Sequence, residues 1–412
     1  MEKLIHYMQN TFAPKVNKIT KNIWIASIQD SVMAILPFIL VGSLITMISL
    51  INELKPGLLP DFSLINSFSF GMVGIFVAYL IPYNVMDKNK INDKKTLAGL
   101  TSVTLYLMLI SPVIAKDGKI TFLFERFGAT GMFVSIIIGL IVGFVMLQFA
   151  KFSFFKKESS LPDFIIVWFD SLLPITILLF AGWLVAQLKF DFFNLIVTIF
   201  QPLSYISQSF WGVVVLSFIM VFFYSFGIST WVLNPITFPI MVKAIADNAA
   251  MVQKGLEPTN IFTQEVYFSG WMAAGGIGFT LTLGILLLFA RSSRLKAIGR
   301  ATIAPSIFNI NEPIVFGAPI VFNPILMIPF WINGTLIPAI TYLVLKAGWV
   351  AIPYKAFQLW YIPYPISTYM VNGDWRGVIL FFVLAALSLV IWYPFFKIYD
   401  NQELKLEASE EV

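Results

Sequence analysis

The 412-residue chain contains no cysteine and one histidine, His6, and only 12% of its residues are charged. The missing thiols exclude disulfides and thiol chemistry. With the single histidine in a polar N-terminal segment, Cys/His metal sites and a histidine relay inside apolar sequence are excluded too. No metal and no cofactor is therefore expected. Long polar stretches are equally scarce, which leaves no room for a sizeable soluble domain. What fills the chain is apolar sequence: 58% of residues are hydrophobic, mean hydropathy is +0.84, and apolar runs recur from residue 23 to residue 396. Such a chain reads as an all-α polytopic membrane protein, because a bilayer tolerates only segments that satisfy their own backbone hydrogen bonds. At roughly 20 residues per span there is room for about ten transmembrane helices.

The net charge of +5 comes from lysines and arginines scattered through short connections. No nucleic-acid-binding motif accompanies them, so they read as topology determinants. The first apolar run follows a segment carrying Lys3, Lys15, Lys18 and Lys21 and shows no small-residue cleavage pattern, which predicts a retained first helix rather than a signal peptide. Regular apolar runs fall near 23–51, 69–86, 96–115, 128–150, 164–188, 208–228, 269–290, 320–345 and 375–396, with less regular ones near 192–206, 231–250, 303–319 and 347–371. The N-terminal segment, the loop 87–95, the loop with Lys151, Lys156 and Lys157, and the segment 291–300 are the most basic. This pattern predicts a cytoplasmic N-terminus, with the three cations of the loop 116–126 as an exception on the outside.

A composition shift near Lys156-Lys157-Glu158-Ser159-Ser160-Leu161-Pro162 divides the chain. Residues 1–160 read as a scaffold of four fairly regular spans. Residues 161–400 read as the working part, since Pro, Asn, Gly and Trp become frequent inside apolar sequence there. Residues 401–412 are polar and acidic and read as a disordered cytoplasmic tail. Gly139 and Gly143 form a small-xxx-small pair that fits packing within one protomer at least as well as dimerisation. Gln29, Asp30 and Asp170 read as packing polar groups rather than ligands.

The stretch Ala304-Pro305-Ser306-Ile307-Phe308-Asn309-Ile310-Asn311-Glu312-Pro313-Ile314-Val315-Phe316-Gly317-Ala318-Pro319 sets one carboxylate, two asparagines and three prolines in apolar sequence. A carboxylate at membrane depth is costly and marks a substrate or ion pathway by default, and prolines there imply a broken backbone lining a protein-walled cavity. A structural ion pair is the competing reading of Glu312. Carboxylate and amide groups together suit a hydroxyl-rich ligand, to which Asn309, Asn311 and Glu312 would bond. The segment Phe226-Gly227-Ile228-Ser229-Thr230-Trp231-Val232-Leu233-Asn234-Pro235 is interrupted similarly, so Ser229 and Trp231 are further candidate contacts, although a helix end or kink explains the pattern equally well. The tryptophans and tyrosines of the second half, from Trp211 to Trp375, suit sugar faces, but belt and packing roles account for most such residues.

Ser306 to Pro329, SIFNINEPIVFGAPIVFNPILMIP, resembles the signature of enzyme IIC, the membrane permease subunit of the bacterial sugar phosphotransferase system, in its lactose/cellobiose/chitobiose family. The resemblance extends over nearly the whole chain. It includes Ile28-Gln29-Asp30, Ala246-Asp247-Asn248-Ala249-Ala250, Gly275-Gly276 before the basic segment 291–300, and Asn372-Gly373-Asp374-Trp375-Arg376-Gly377. It implies a homodimer joined through the N-terminal bundle, and a C-terminal domain with two re-entrant hairpins that carries a disaccharide or related glycoside. It also implies that Glu312 bonds the sugar 6-hydroxyl, serving as a possible base, and that phosphate arrives from a phosphocysteine on a separate cytoplasmic IIB protein charged by IIA. Two departures stand out. The family's Gly-Ile-His-Gly is Gly227-Ile228-Ser229-Thr230 here, and its Ile-Arg-Asp is Ile28-Gln29-Asp30. A non-phosphorylating facilitator or sensor of the same fold, and an ion-coupled secondary transporter with Glu312 carrying the proton, are the alternatives.

Overall fold

This computed structural model describes residues 7, 10, 22–54, 57–155, 162–188, 190–318 and 320–410. His6, Lys3, Lys15, Lys18, Lys21, Lys156, Lys157 and Pro319 lie outside them. The fold is nearly all helical, with one short antiparallel pair, β1 (Val113–Ile114) and β2 (Ile120–Thr121). The first half holds α1 (Ile23–Ala34), α2 (Leu36–Leu54), α3 (Ser63–Phe68), α4 (Val73–Lys88), α5 (Lys95–Leu109) and α6 (Gly131–Phe149). The Asn22 side chain caps α1 by accepting from Trp24 N at 3.0 Å.

Close approach of α4 and α6 comes from the small residues of α6. A Cβ added at Gly139 would stand 2.8 Å from Ile81 Cβ, and one at Gly143 would stand 3.3 Å from Val85 Cβ. The glycine pair thus packs inside the chain. Ser135 Oγ tightens the same contact by donating to Gly74 O at 2.6 Å. The polar residues Asp30 and Asp170 both find partners in the first half of the chain. Asp30 pairs with Lys88 at 2.5 Å, and the buried Asp170 lies 3.7 Å from the equally buried Lys94 and accepts from Phe154 N at 2.9 Å.

The second half begins with α7 (Asp163–Gln187), α8 (Phe192–Gln208) and α9 (Phe210–Ser225). Between α8 and α9 the chain bends by 84°, and Ser209 caps α9 through Gly212 N at 3.0 Å. Then come α10 (Asn234–Gln253), α11 (Leu281–Leu288), α12 (Ser293–Ile307), α13 (Glu312–Gly317), α14 (Pro324–Lys346), α15 (Tyr364–Met370) and α16 (Trp375–Glu410). Among the described residues, length and composition alone qualify six helices as membrane spans, or seven if α8 and α9 form one bent span. About ten were expected. That measure leaves out the shorter apolar helix α5 and the pieces into which glycine and proline cut other segments, such as the π turn Glu265–Gly270 and the helices α11, α13 and α15.

Residues 402–410 are helix, which corrects the disordered tail expected from residue 401. The acidic side chains that suggested solvation serve as acceptors for the exposed N–H groups at the start of α12. Asp400 accepts from Arg291 N at 3.0 Å and Ser292 N at 2.9 Å, Glu407 from Ser293 N at 3.1 Å and Arg294 N at 2.9 Å, and Glu403 pairs with Arg294 at 3.0 Å. From Trp375 to Asp400 α16 rises about 38 Å, more than a hydrocarbon core of about 30 Å. The start of α16 and the segment 291–300 therefore mark opposite ends of the molecule.

Candidate functional site

The proline-bracketed stretch forms a hairpin. Helix α12 runs inward from the basic segment, the chain turns through Phe308–Asn311, and the short α13 leads back. Asn309 sits at the turn with φ of 63°, a left-handed conformation that asparagine tolerates better than most residues. Its amide is fully engaged: Oδ1 accepts from Gly275 N at 2.9 Å, and Nδ2 donates to Trp360 O at 2.7 Å and Ile362 O at 3.0 Å. Asn311 is buried, donating through Nδ2 to Ile277 O at 2.9 Å while its Oδ1 accepts from Tyr224 Oη at 3.3 Å. Both asparagines therefore hold backbone in place.

Glycines make this wrapping possible. Gly275, Gly276 and Gly278 have φ of 72°, 102° and 83°, and a Cβ on Gly276 would stand 2.3 Å from Asn311 Cγ. Only a residue without a side chain lets the loop close round the asparagine. Thr280 Oγ1 pins the loop by donating to Gly275 O at 2.6 Å.

The end of α9 holds the hairpin from the other side. Tyr224 reaches Asn311, and its ring meets Phe316 edge-on at 6.2 Å. Ser225 O accepts from Phe322 N at 3.0 Å, just beyond the hairpin, and Ser225 Oγ accepts from Trp331 Nε1 at 2.9 Å. The chain then turns at Gly227, with φ of 72° and packed against Val321 and Phe322. Ser229 follows directly and is exposed, with its carbonyl accepting from Val232 N at 3.2 Å. The backbone of Trp231 belongs to the 3-10 turn Thr230–Leu233, while its side chain lies outside the described residues. One clamp at Tyr224 and Ser225 thus organises both segments singled out in the sequence.

Glu312, the first residue of α13, is exposed and has no hydrogen bond or ion pair to any described residue. It lies within electrostatic reach of the Tyr224 phenol. The site therefore offers one uncommitted carboxylate on a turn whose amides are spent. The roles of Tyr224, Ser225 and the three glycines were missed in the sequence. The cluster of glycines at 275–278 was the available signal for a close backbone approach. A cavity of about 650 Å³ lies elsewhere, at the ends of α10 and α14.

A profile of the family described as "Phosphotransferase system, EIIC" matches residues 29–334. The lichenan permease IIC component of Bacillus subtilis (strain 168) is 27% identical, covering 100% of this chain and 97% of that protein. The cellobiose-specific EIIC component of Geobacillus stearothermophilus is 28% identical over 100% of this chain and 97% of its own length. The lactose-specific EIICB component of Lacticaseibacillus casei is 28% identical over 97% of this chain and 72% of its own length. The crystal structure of the IIC component of the N,N'-diacetylchitobiose-specific phosphotransferase system superposes with a TM-score of 0.85 at 27% identity, covering 98% of this chain and 99% of that one. With most of the chain inside the family profile and nearly all of it superposing on a solved IIC component, the protein belongs to the phosphotransferase-system EIIC family and is a multi-pass sugar permease component.

Proposed function

We propose that the protein binds a disaccharide or related glycoside through Glu312, carries it across the cytoplasmic membrane, and presents its 6-hydroxyl to a phosphorylated IIB protein. The single observation that carries this reading is the state of the NINEP turn, in which Asn309 and Asn311 are consumed by backbone while Glu312 stays free. An uncommitted carboxylate at membrane depth is retained at a cost that a ligand would offset. Residues 1–160 would then serve as scaffold and homodimer interface and residues 161–400 as the moving, sugar-bearing part. The 412 residues hold no cysteine, which fits a phosphocysteine donor on a separate IIB protein recharged by IIA. The C and B components joined in the lactose-specific relative support a IIB donor working beside this fold.

Ser229 favours a second reading. The resemblance places a histidine at this position, and serine is a poor base unassisted. A chain that moves or senses sugar without phosphorylating it would tolerate the replacement. The experiment that separates the two readings is transfer from phospho-IIB to a panel of disaccharides with purified protein. Sugar phosphate is the expected product, with Glu312 accepting the hydroxyl proton. Ser229→His should then add a titration near pH ~6.5 to the transfer rate. Sugar binding with no sugar phosphate from any competent IIB would replace group translocation by the facilitator.

The proposal also fixes orientation, with the N-terminus and the segment 291–300 in the cytoplasm. The chain has no native cysteine, so a single Lys296→Cys on the exposed face of α12 gives a clean probe. A membrane-impermeant maleimide should label it in inside-out vesicles and not in intact cells. Labelling of intact cells would reverse the topology.

A further inference from the structure

The cavity of about 650 Å³ lies at the end of the molecule opposite the segment 291–300. It is walled by Gly255 and Glu257 beyond the end of α10, Lys346 and Gly348 at the end of α14, and Asn372 and Arg376 at the start of α16. Trp349 and Trp375, next to lining residues, are 70% and 65% exposed, as interfacial tryptophans are. The cavity therefore opens at a membrane surface. Residues 351–354 line it or lead from it, and the same segment continues to Trp360 and Ile362, whose carbonyls hold Asn309. One continuous segment thus joins the cavity to the NINEP turn.

The chemistry of the lining selects a ligand class. Lys346 and Arg376 are balanced by Glu257 and by Asp374, which grips Arg376, so the site favours neither an anion nor a cation. Glu257 and Lys346 have no partner among the described residues, leaving an acceptor and a donor of hydrogen bonds open to a guest. The remaining groups are preorganised. Asn372 Nδ2 donates to Ala351 O at 2.6 Å, its Oδ1 accepts from Asp374 N at 2.9 Å, and Asp374 accepts from Ala351 N at 3.0 Å. Burial raises the Asp374 pKa, but Arg376 and the N–H groups of Ala351 and Arg376 outweigh it and hold the carboxyl below the usual range. Helices α10 and α14 both point their C-terminal carbonyls here. Their capping glycines, Gly255 and Gly348, have nothing within 4 Å of a Cβ position, so a guest can approach the backbone closely. Converging acceptors and donors without net charge suit a polyhydroxyl ligand. The volume falls within the roughly 300–1,000 Å³ of small-molecule sites.

We propose that this cavity is a second saccharide site, a capture site for a neutral oligosaccharide on the face opposite Arg291–Arg300, distinct from Glu312. The proposal rests on the sugar-permease reading above. The test uses the full chain in lipid nanodiscs with cellobiose, lactose and diacetylchitobiose as probes, read by saturation-transfer NMR and calorimetry. The Glu312→Ala variant is expected to retain weak, millimolar-range binding of at least one probe. Adding Glu257→Ala and Lys346→Ala on that background should weaken it at least tenfold. If the unmodified protein binds a probe and Glu312→Ala binds none, or if the weak binding survives the added substitutions, the capture site is wrong while the Glu312 reading stands. If the unmodified protein binds none of the three, both readings fall.

Discussion

Glu312→Ala is expected to lower saccharide affinity by about 30-fold to several thousand-fold, the equivalent of about 2–5 kcal/mol for a lost charged hydrogen-bond partner. Folding should be nearly unaffected. The side chain is exposed and makes no hydrogen bond or ion pair to any described residue, so its removal strands no buried group. Substitutions of this kind usually change stability by no more than about 0.5 kcal/mol. Asn311→Ala should behave in the opposite way, because it leaves the buried Ile277 carbonyl without its donor, at about 1–3 kcal/mol of stability. Binding calorimetry and thermal unfolding, run side by side on both variants, separate the two roles. Unchanged affinity in Glu312→Ala would remove this carboxylate from the sugar site, and the hairpin would then have to be explained by packing alone.

The contrast between Glu312 and its neighbours shows where the sequence becomes silent. Composition and hydropathy sufficed for a helical membrane protein, and the prolines marked the broken segment, since both are local properties. The division of labour within Asn309, Asn311 and Glu312 is not local. It depends on Gly275, Ile277, Trp360, Ile362 and Tyr224, which lie tens of residues away. The same limit applies to the end of the chain. Glu403 and Glu407 read as solvating charges until the start of α12 is placed beside them with its unpaired N–H groups. Gly139 and Gly143 were ambiguous between two partners, and only the position of Ile81 and Val85 assigns them to an intramolecular contact. Apolarity likewise does not report where glycine and proline divide a run into short helices, so helix boundaries in such segments were not legible.

Gly276→Ala is expected to be among the most damaging small substitutions in the molecule, and it tests the clamp while leaving Glu312 itself unchanged. Two costs combine. The backbone at φ of 102° is unfavourable for any residue with a Cβ, at about 1–2 kcal/mol. The new methyl would also stand 2.3 Å from Asn311 Cγ and 2.6 Å from Nδ2, so the amide must swing away from Ile277 O and strand a buried acceptor at about 1–3 kcal/mol more. The turn carrying Glu312 then loses its anchor, and saccharide affinity should fall with stability. Gly118→Ala supplies the control. It has a similar positive φ of 84° but nothing within 4 Å of the added carbon, so it should show the backbone cost alone and leave binding intact. Comparable losses in the two variants, by thermal unfolding and by sugar binding, would mean that the glycine serves backbone conformation only. A larger stability loss in Gly276→Ala, with the loss of binding confined to it, would establish that the glycine loop and Asn311 together hold the carboxylate where a ligand can reach it.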